Sequence, residues 1–349
     1  MVSLDIVKSC NAALLKSQPL VAVITGGTSG IGEHTIRTLA TIHGGEGKGL
    51  RVYVVGRKEA AATAIIADCL KVCPGGDFRF VQAGDLSLLK DVDHVSAEII
   101  KAEEAETKNG EKPRIDFLVM GHAFLAFEAR QETKEGLDAL YSLLYYSRMR
   151  LTTQLLPLLL SSSLPAHVVS VFSPKRNDKF FPKDLSLRNP KNYNFMNMGS
   201  HVAYLTTFFF ESLAKKHPGK LSLSHYFPGL VIHENFTSGE KLPTWFKVTF
   251  KVVGPLMKWW SVSPKECGQR VVFLATERFP ARGGEGKRDV AMGSDGTRGG
   301  GAYRLDLDNE VDPCPKNFKQ LREDGMEEKI WRHTLDTFET IEAGKIFTG

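Results

Sequence analysis

Thr25-Gly26-Gly27-Thr28-Ser29-Gly30-Ile31-Gly32 stands directly between the apolar run Leu20-Val21-Ala22-Val23-Ile24 and the helix-forming stretch Glu33-His34-Thr35-Ile36-Arg37-Thr38-Leu39-Ala40. A buried strand that runs into a glycine turn and then opens a helix makes an anion site. The glycines allow a tight turn and close backbone approach, and the first N–H groups of the helix, with its dipole, face the phosphates. The stretch therefore predicts a nucleotide pyrophosphate at the carboxyl edge of a sheet. The glycines at Gly44-Gly45 and Gly299-Gly300-Gly301 lack those flanks and read as ordinary turns.

Working outward, the stretches 51–55, 78–83, 115–120, 167–173, 221–227 and 302–307 read as further strands. Helical stretches occupy 60–72, 88–105, 135–160, 195–216, 263–275 and 318–343. Strands alternating with helices at this spacing predict an α/β fold, a Rossmann-like doubly wound parallel sheet of about seven strands flanked by helices. A chain of 349 residues fits one such domain with extensions. The expected core spans about 18–235 and 263–310, a substrate lid about 236–262, and a C-terminal helical extension about 313–349.

Composition narrows the class. Hydrophobic residues at 42% and charged residues at 24% are ordinary globular values. The net charge of +5 comes from lysines and arginines spread along the chain, so no nucleic-acid partner is expected. No stretch has the uninterrupted apolar length of a spanning helix, and the first twenty residues lack the pattern of a secretory signal. Five scattered cysteines point to reduced thiols and a cytoplasmic setting. Cys69 and Cys73 have no His or Cys cluster beside them, so no metal site is expected.

The spacing Gly-x-x-x-Gly-x-Gly, with Thr25 before it and Gly30-Ile31-Gly32 closing it, resembles the fingerprint of the short-chain dehydrogenase/reductase family. The resemblance covers about 20–310 and implies cofactor contacts at Gly26, Thr28, Ser29, Gly30, Ile31 and Gly32. An acidic residue at the end of the second strand would select NAD; here Gly56 holds that place and Arg57 and Lys58 follow, which with Ser29 favours the 2′-phosphate of NADP(H). Asp85 and Leu86 resemble the Asp-Leu pair that meets the adenine amino group, and Gly121 offers a backbone path past the cofactor. Pro228, Gly229 and Val231 resemble the Pro-Gly-x-Val that closes over the nicotinamide, and His233 after them either touches the cofactor amide or begins a loop.

The catalytic half departs from the family. Met120-Gly121-His122-Ala123 replaces the usual Asn-Asn-Ala-Gly, and Leu144 stands where an asparagine orders a relay water. Ser173 matches the catalytic serine. The tyrosine and lysine of Tyr-x-x-x-Lys fall on Gly199 and Ala203, and no tyrosine in the chain is followed by lysine four residues on. Losing a general acid costs roughly 10²–10⁴-fold, so another donor is needed. Ser173, Tyr193, His122 and a substrate hydroxyl are the candidates, in that order, although the better reading of His122 is a loop residue.

Tyr145-Tyr146-Ser147-Arg148, the run 211–218 and the stretch 293–303 resemble a fungal branch of the family associated with secondary metabolism, which often lacks the usual tyrosine. The aromatic, apolar and basic segment 242–260 reads as a lid over a small apolar organic substrate, or as a weak membrane-surface contact. The final helix is expected to brace the lid or form a homodimer. Three functions remain open: an NADP-dependent oxidoreductase on a carbonyl or alcohol, a redox-neutral isomerase, cyclase or dehydratase, and a catalytically silent NADP-binding protein.

Overall fold

Leu20–Thr25 (β1) is buried at every position, which a strand covered on both faces requires. It pairs in parallel with Leu50–Gly56 (β2) on one side and Phe117–Met120 (β4) on the other. Asp77–Gln82 (β3), Ala166–Val171 (β5), Leu221–Tyr226 (β6) and Ala302–Leu305 (β7) complete a seven-stranded parallel sheet in the order β3-β2-β1-β4-β5-β6-β7. The computed structural model describes residues 1–124, 129–175, 179–232, 242, 244–257, 260–284 and 289–349.

Helices cover both faces, and strand alternation divides the core between them. Leu20, Ala22 and Ile24 pack on one face with Gly30–His43 (α2), preceded in the chain by Leu4–Ser17 (α1), and with Glu59–Val72 (α3). Val21 and Val23 pack on the other with Leu89–Ala105 (α4) and a segment comprising Ala139–Tyr141 (α5), Ser147–Gln154 (α6) and Leu156–Leu160 (α7). Phe195–Lys216 (α8) lies on that second face and is buried at every residue from Asn197 to Ala214. Thr244–Met257 (α9) and Pro264–Val272 (α10) follow β6. Asn317–Glu323 (α11) and Met326–Glu342 (α12) end the chain.

Some boundaries differ from the sequence expectation, each for a local reason. The helix expected over 135–160 begins at Ala139, because Asp138 caps it by accepting from Tyr141 N at 2.8 Å. Glu135 instead accepts from Leu89 N and Lys90 N at the start of α4. A π-helical turn over Ser142–Tyr146 then interrupts the helix. The final helix is split by Gly325 at φ 72. The helix α1 was not anticipated: Ser3 caps it, and Asn11 Nδ2 donates to the Gln269 carbonyl at 2.8 Å on α10.

The helix α12 lies on the second face of the sheet. It packs along α8, where Trp331 stacks on Phe209 at 4.8 Å, Tyr145 Oη meets Thr334 Oγ1 at 2.6 Å, and Tyr146 Oη meets His333 Nε2 at 2.8 Å. Ile330 and Phe338 are buried in that contact.

Candidate active site

The strand order reverses between β1 and β4, and the crevice at such a point is where α/β sheets bind dinucleotides. Gly26 and Gly30 adopt φ 70 and φ 56, which favour glycine. A Cβ on Gly26 would lie 2.9 Å from His122 N, and one on Gly32 would lie 2.4 Å from the Gly26 carbonyl oxygen. Ser29 stands at the N-cap of α2 in extended conformation with no side-chain cap bond. Its hydroxyl and the first helical amides are thus not taken up by a cap, which is the donor set a pyrophosphate needs. Ile31 packs beneath the turn against the core.

At the end of β2 the residues discriminate further. A Cβ on Gly56 would lie 2.4 Å from Thr28 Cγ2 and 2.8 Å from Thr28 Oγ1, so Thr28 fills the place of an acidic side chain. Arg57 and Lys58 follow, both exposed. Asp85 lies after β3, where its Oδ1 accepts from Ser87 N at 2.9 Å, and Leu86 is buried behind it. Gly121 N donates to the Thr25 carbonyl at 3.1 Å, tying the end of β4 to the glycine turn. Beyond β6, Gly229 has φ 74 and approaches Val262, whose N donates to the Leu230 carbonyl at 2.9 Å; Val231 is buried. The position of His233 is outside the described residues. The cradle fits a dinucleotide on three counts: backbone approach, uncapped amides and cations at one end.

The centre of the sheet edge is polar and dry. His122 is buried, with Nδ1 2.6 Å from Thr25 Oγ1 and Nε2 3.0 Å from Ser147 Oγ. Burial, with Arg148 nearby, holds its pKa well below the usual histidine value. It is a neutral ring with both nitrogens engaged. Arg148 is fully buried and makes a spread of bonds: Nε to the Leu143 carbonyl at 3.1 Å, Nη1 to Ser170 Oγ and the Val171 carbonyl at 2.9 Å, and Nη2 to the His122 carbonyl at 3.1 Å. The Leu143 carbonyl lies in the π turn, where the helical ladder is locally rearranged. Every acceptor is neutral, and burial pushes the Arg148 pKa down to about 9.

The strand β5 ends at Val171, so Ser173 stands in the loop just past it, half-buried. Its turn is pinned from both sides. Arg148 holds the Val171 carbonyl, and Arg304, fully buried on β7, donates to the Pro174 carbonyl at 2.6 Å and to Asp312 Oδ2 at 2.7 Å. Lys175 pairs with Asp306. Between the arginines, in register with Ser170 and Arg304, lies His225. It is fully buried, neither ring nitrogen has a hydrogen-bond partner among the described residues, and burial with the two guanidiniums drives its pKa well down.

Tyr193 packs against the core with its phenol facing Asp138; burial and that carboxylate raise its pKa above the ordinary tyrosine value. Among the described residues no hydrogen bond joins any two of Ser173, Tyr193 and His122. Gly199 and Ala203 are buried in α8, and the Ala203 carbonyl accepts from Thr207 Oγ1 at 2.7 Å. Arg304 and His225 escaped the sequence reading as site residues, and Arg148 entered it only within the run Tyr145-Tyr146-Ser147-Arg148. The available signal was a pair of arginines, Arg148 and Arg150, in the helix that follows a strand lacking the family asparagines.

A glycine cradle at the reversal point of a doubly wound sheet, with a serine loop at the same edge, defines a dinucleotide-binding α/β oxidoreductase. Residues 20–181 match the family profile described as short chain dehydrogenase. The short-chain dehydrogenase/reductase SAT2 of Stachybotrys chartarum is 38% identical over 351 residues, covering 98% of this chain and 98% of that protein. Oxidoreductase AN1596 of Emericella nidulans is 34% identical over 342 residues, covering 96% and 97%. The fold matches the Pseudomonas aeruginosa RhlG/NADP active-site complex with a TM-score of 0.51 at 19% identity, over 84% of this chain and 97% of that one. The chain belongs to the short-chain dehydrogenase/reductase family and is an enzyme of that type, a family that binds a nicotinamide cofactor.

Proposed function

We propose that the chain is an NADP-dependent oxidoreductase acting on a carbonyl or alcohol of an apolar secondary metabolite. The observation that carries the cofactor choice is the end of β2. Thr28 occupies the space an acidic side chain would need beside Gly56, and Arg57 and Lys58 offer exposed positive charge to a 2′-phosphate. Gly26, Ser29, Gly30, Ile31 and Gly32 would hold the pyrophosphate, Asp85 and Leu86 the adenine, and Gly121, Pro228, Gly229 and Val231 the nicotinamide end. When bound, the cofactor supplies or accepts the hydride.

The chain's own residues then have to steady the reacting oxygen. We assign Ser173 as the donor to it, because its loop is fixed at Val171 and Pro174 by two buried guanidiniums. Tyr193 is the second choice: it carries a phenol proton, but burial and the Asp138 carboxylate make it a weaker acid than an ordinary tyrosine. His122 ranks third, with both nitrogens already engaged. The reaction is set in the cytoplasm, in keeping with five free cysteines.

The vacant Gly199 and Ala203 positions favour a second reading, in which the pocket shapes the same substrate for isomerisation, cyclisation or dehydration. Product analysis separates the two. Purified protein is incubated with a panel of apolar polyketide and terpenoid ketones, with and without NADPH. Oxidoreduction predicts alcohol formation matched by NADPH loss, abolished or cut roughly 10²-fold or more in Ser173→Ala. A changed carbon skeleton with NADPH intact contradicts it.

A further inference from the structure

The helix α9 presents an unusual outward face. Trp245 and Val248 are 64% and 59% exposed, Val253 is exposed on the same side, and Trp260 just beyond the helix is 79% exposed. Residues 245, 248, 249 and 253 recur at spacings of three and four, which places them on one face. The opposite side is the anchored one: Gly254 is buried and Phe250 and Met257 are half-buried. An amphipathic helix on a globular protein normally turns its apolar face inward. Here large apolar side chains, tryptophan included, project into solvent.

The charge pattern selects the occupant. The segment 242–260 carries Lys247, Lys251 and Lys258 and no acidic residue, on a chain of net charge +5. Lys251 is exposed and adjoins the apolar face beside Val248, while Lys247 is half-buried nearer the anchored side. Tryptophan with flanking lysine on a helix of about four turns suits the boundary between lipid headgroups and acyl chains. Among the described residues no helix is long and apolar enough to cross a membrane, so the contact is with the surface.

We propose that α9 and Trp260 form a docking face for an anionic lipid bilayer. The face is tethered at the site: Leu242 is buried at its N-terminal side, and Val262 at its C-terminal side bonds to Leu230 in the segment that closes over the nicotinamide position. Docking sets the segment that follows β6 beside the acyl region, where an apolar metabolite concentrates. The binding itself does not depend on which reaction the pocket performs.

The full chain is mixed with phosphatidylcholine vesicles and with vesicles of phosphatidylcholine and phosphatidylserine, and sedimented. The chain is expected to pellet with the anionic vesicles, to be released by high salt, and to show a blue-shifted tryptophan emission when bound. Lys247→Gln and Lys251→Gln should each weaken binding roughly fivefold. Trp245→Ser with Trp260→Ser should abolish pelleting, with circular dichroism showing that the variant is folded. Failure to pellet with anionic vesicles, equal binding to both vesicle types, or undiminished binding of the double tryptophan variant overturns the proposal. A dimer in light scattering that the tryptophan variant dissolves, without vesicle binding, assigns the face to a second copy and also overturns it.

Discussion

The Arg148 guanidinium donates from Nη2 to the His122 carbonyl at 3.1 Å, joining α6 to the loop that follows β4. From Nη1 it holds the end of β5. Family members stitch this part of the sheet with asparagine amides, and Met120-Gly121-His122-Ala123 has none. A longer side chain from a neighbouring helix does the stitching here, at the cost of burying a cation with no carboxylate among its partners.

Two effects of removing Arg148 oppose each other. Relief of the buried charge stabilises, while three backbone carbonyls lose their donor, at about 1–3 kcal/mol for each group left unsatisfied. The carbonyls outnumber the charge, so Arg148→Met is expected to lose about 3 kcal/mol or more in chemical denaturation. Arg148→Lys, with fewer donors in a different geometry, should lie between. A neutral or stabilising Arg148→Met shows that the guanidinium is not the stitch.

The glycine turn gives a sharper geometric expectation. Gly32→Ala places a methyl 2.4 Å from the Gly26 carbonyl oxygen, a backbone atom that cannot swing aside. Loss of NADPH binding is expected, read by cofactor fluorescence, with circular dichroism reporting that the sheet persists. Full binding by this variant contradicts the cradle.

Cofactor choice is expected to resist a single change. Gly56→Asp introduces the acidic residue that selects NAD, but its Cβ meets Thr28 at 2.4 Å. The single variant should gain no affinity for NADH, whereas Gly56→Asp with Thr28→Ala should gain roughly tenfold, or ~1.4 kcal/mol. Isothermal titration with both nucleotides checks this.

Acid sensitivity follows from histidines whose pKa is depressed in the fold, His167, His201 and His333 among them. Burial pushes His167, His201 and His333 down to about 4. The unfolded chain protonates them near 6.5, so it binds more protons than the native state between those values. Their contribution is complete above pH 6.5 and is lost as pH falls towards 4, at up to ~1.4 kcal/mol per pH unit for each group. Melting temperature should therefore drop steeply across that window, and His201→Gln should flatten the slope. A melting temperature constant from pH 6.5 to 4 rules this out.

The cofactor half was legible because its signals are local. A strand, a glycine turn and a helix follow one another within 20–43, and the parallel, doubly wound sheet is anticipated by the βα alternation. The serine loop was legible by position, but what fixes it was not: Arg304 lies 130 residues from Pro174, and Arg148 lies 26 from His122. Such contacts leave no periodic trace in the sequence. The broken helix at 139–160 was hidden for a related reason, since its apolar pattern is continuous while Asp138 and the π turn decide its geometry.

The most direct test is a fluorescence titration of the purified chain with NADPH and with NADH, repeated on Arg57→Ala with Lys58→Ala. NADPH is expected to bind at least tenfold more tightly than NADH, with the preference lost in the double variant because the 2′-phosphate loses its charge-assisted partners. Equal affinity for the two nucleotides, an unchanged preference in the variant, or no binding of either would contradict NADP dependence.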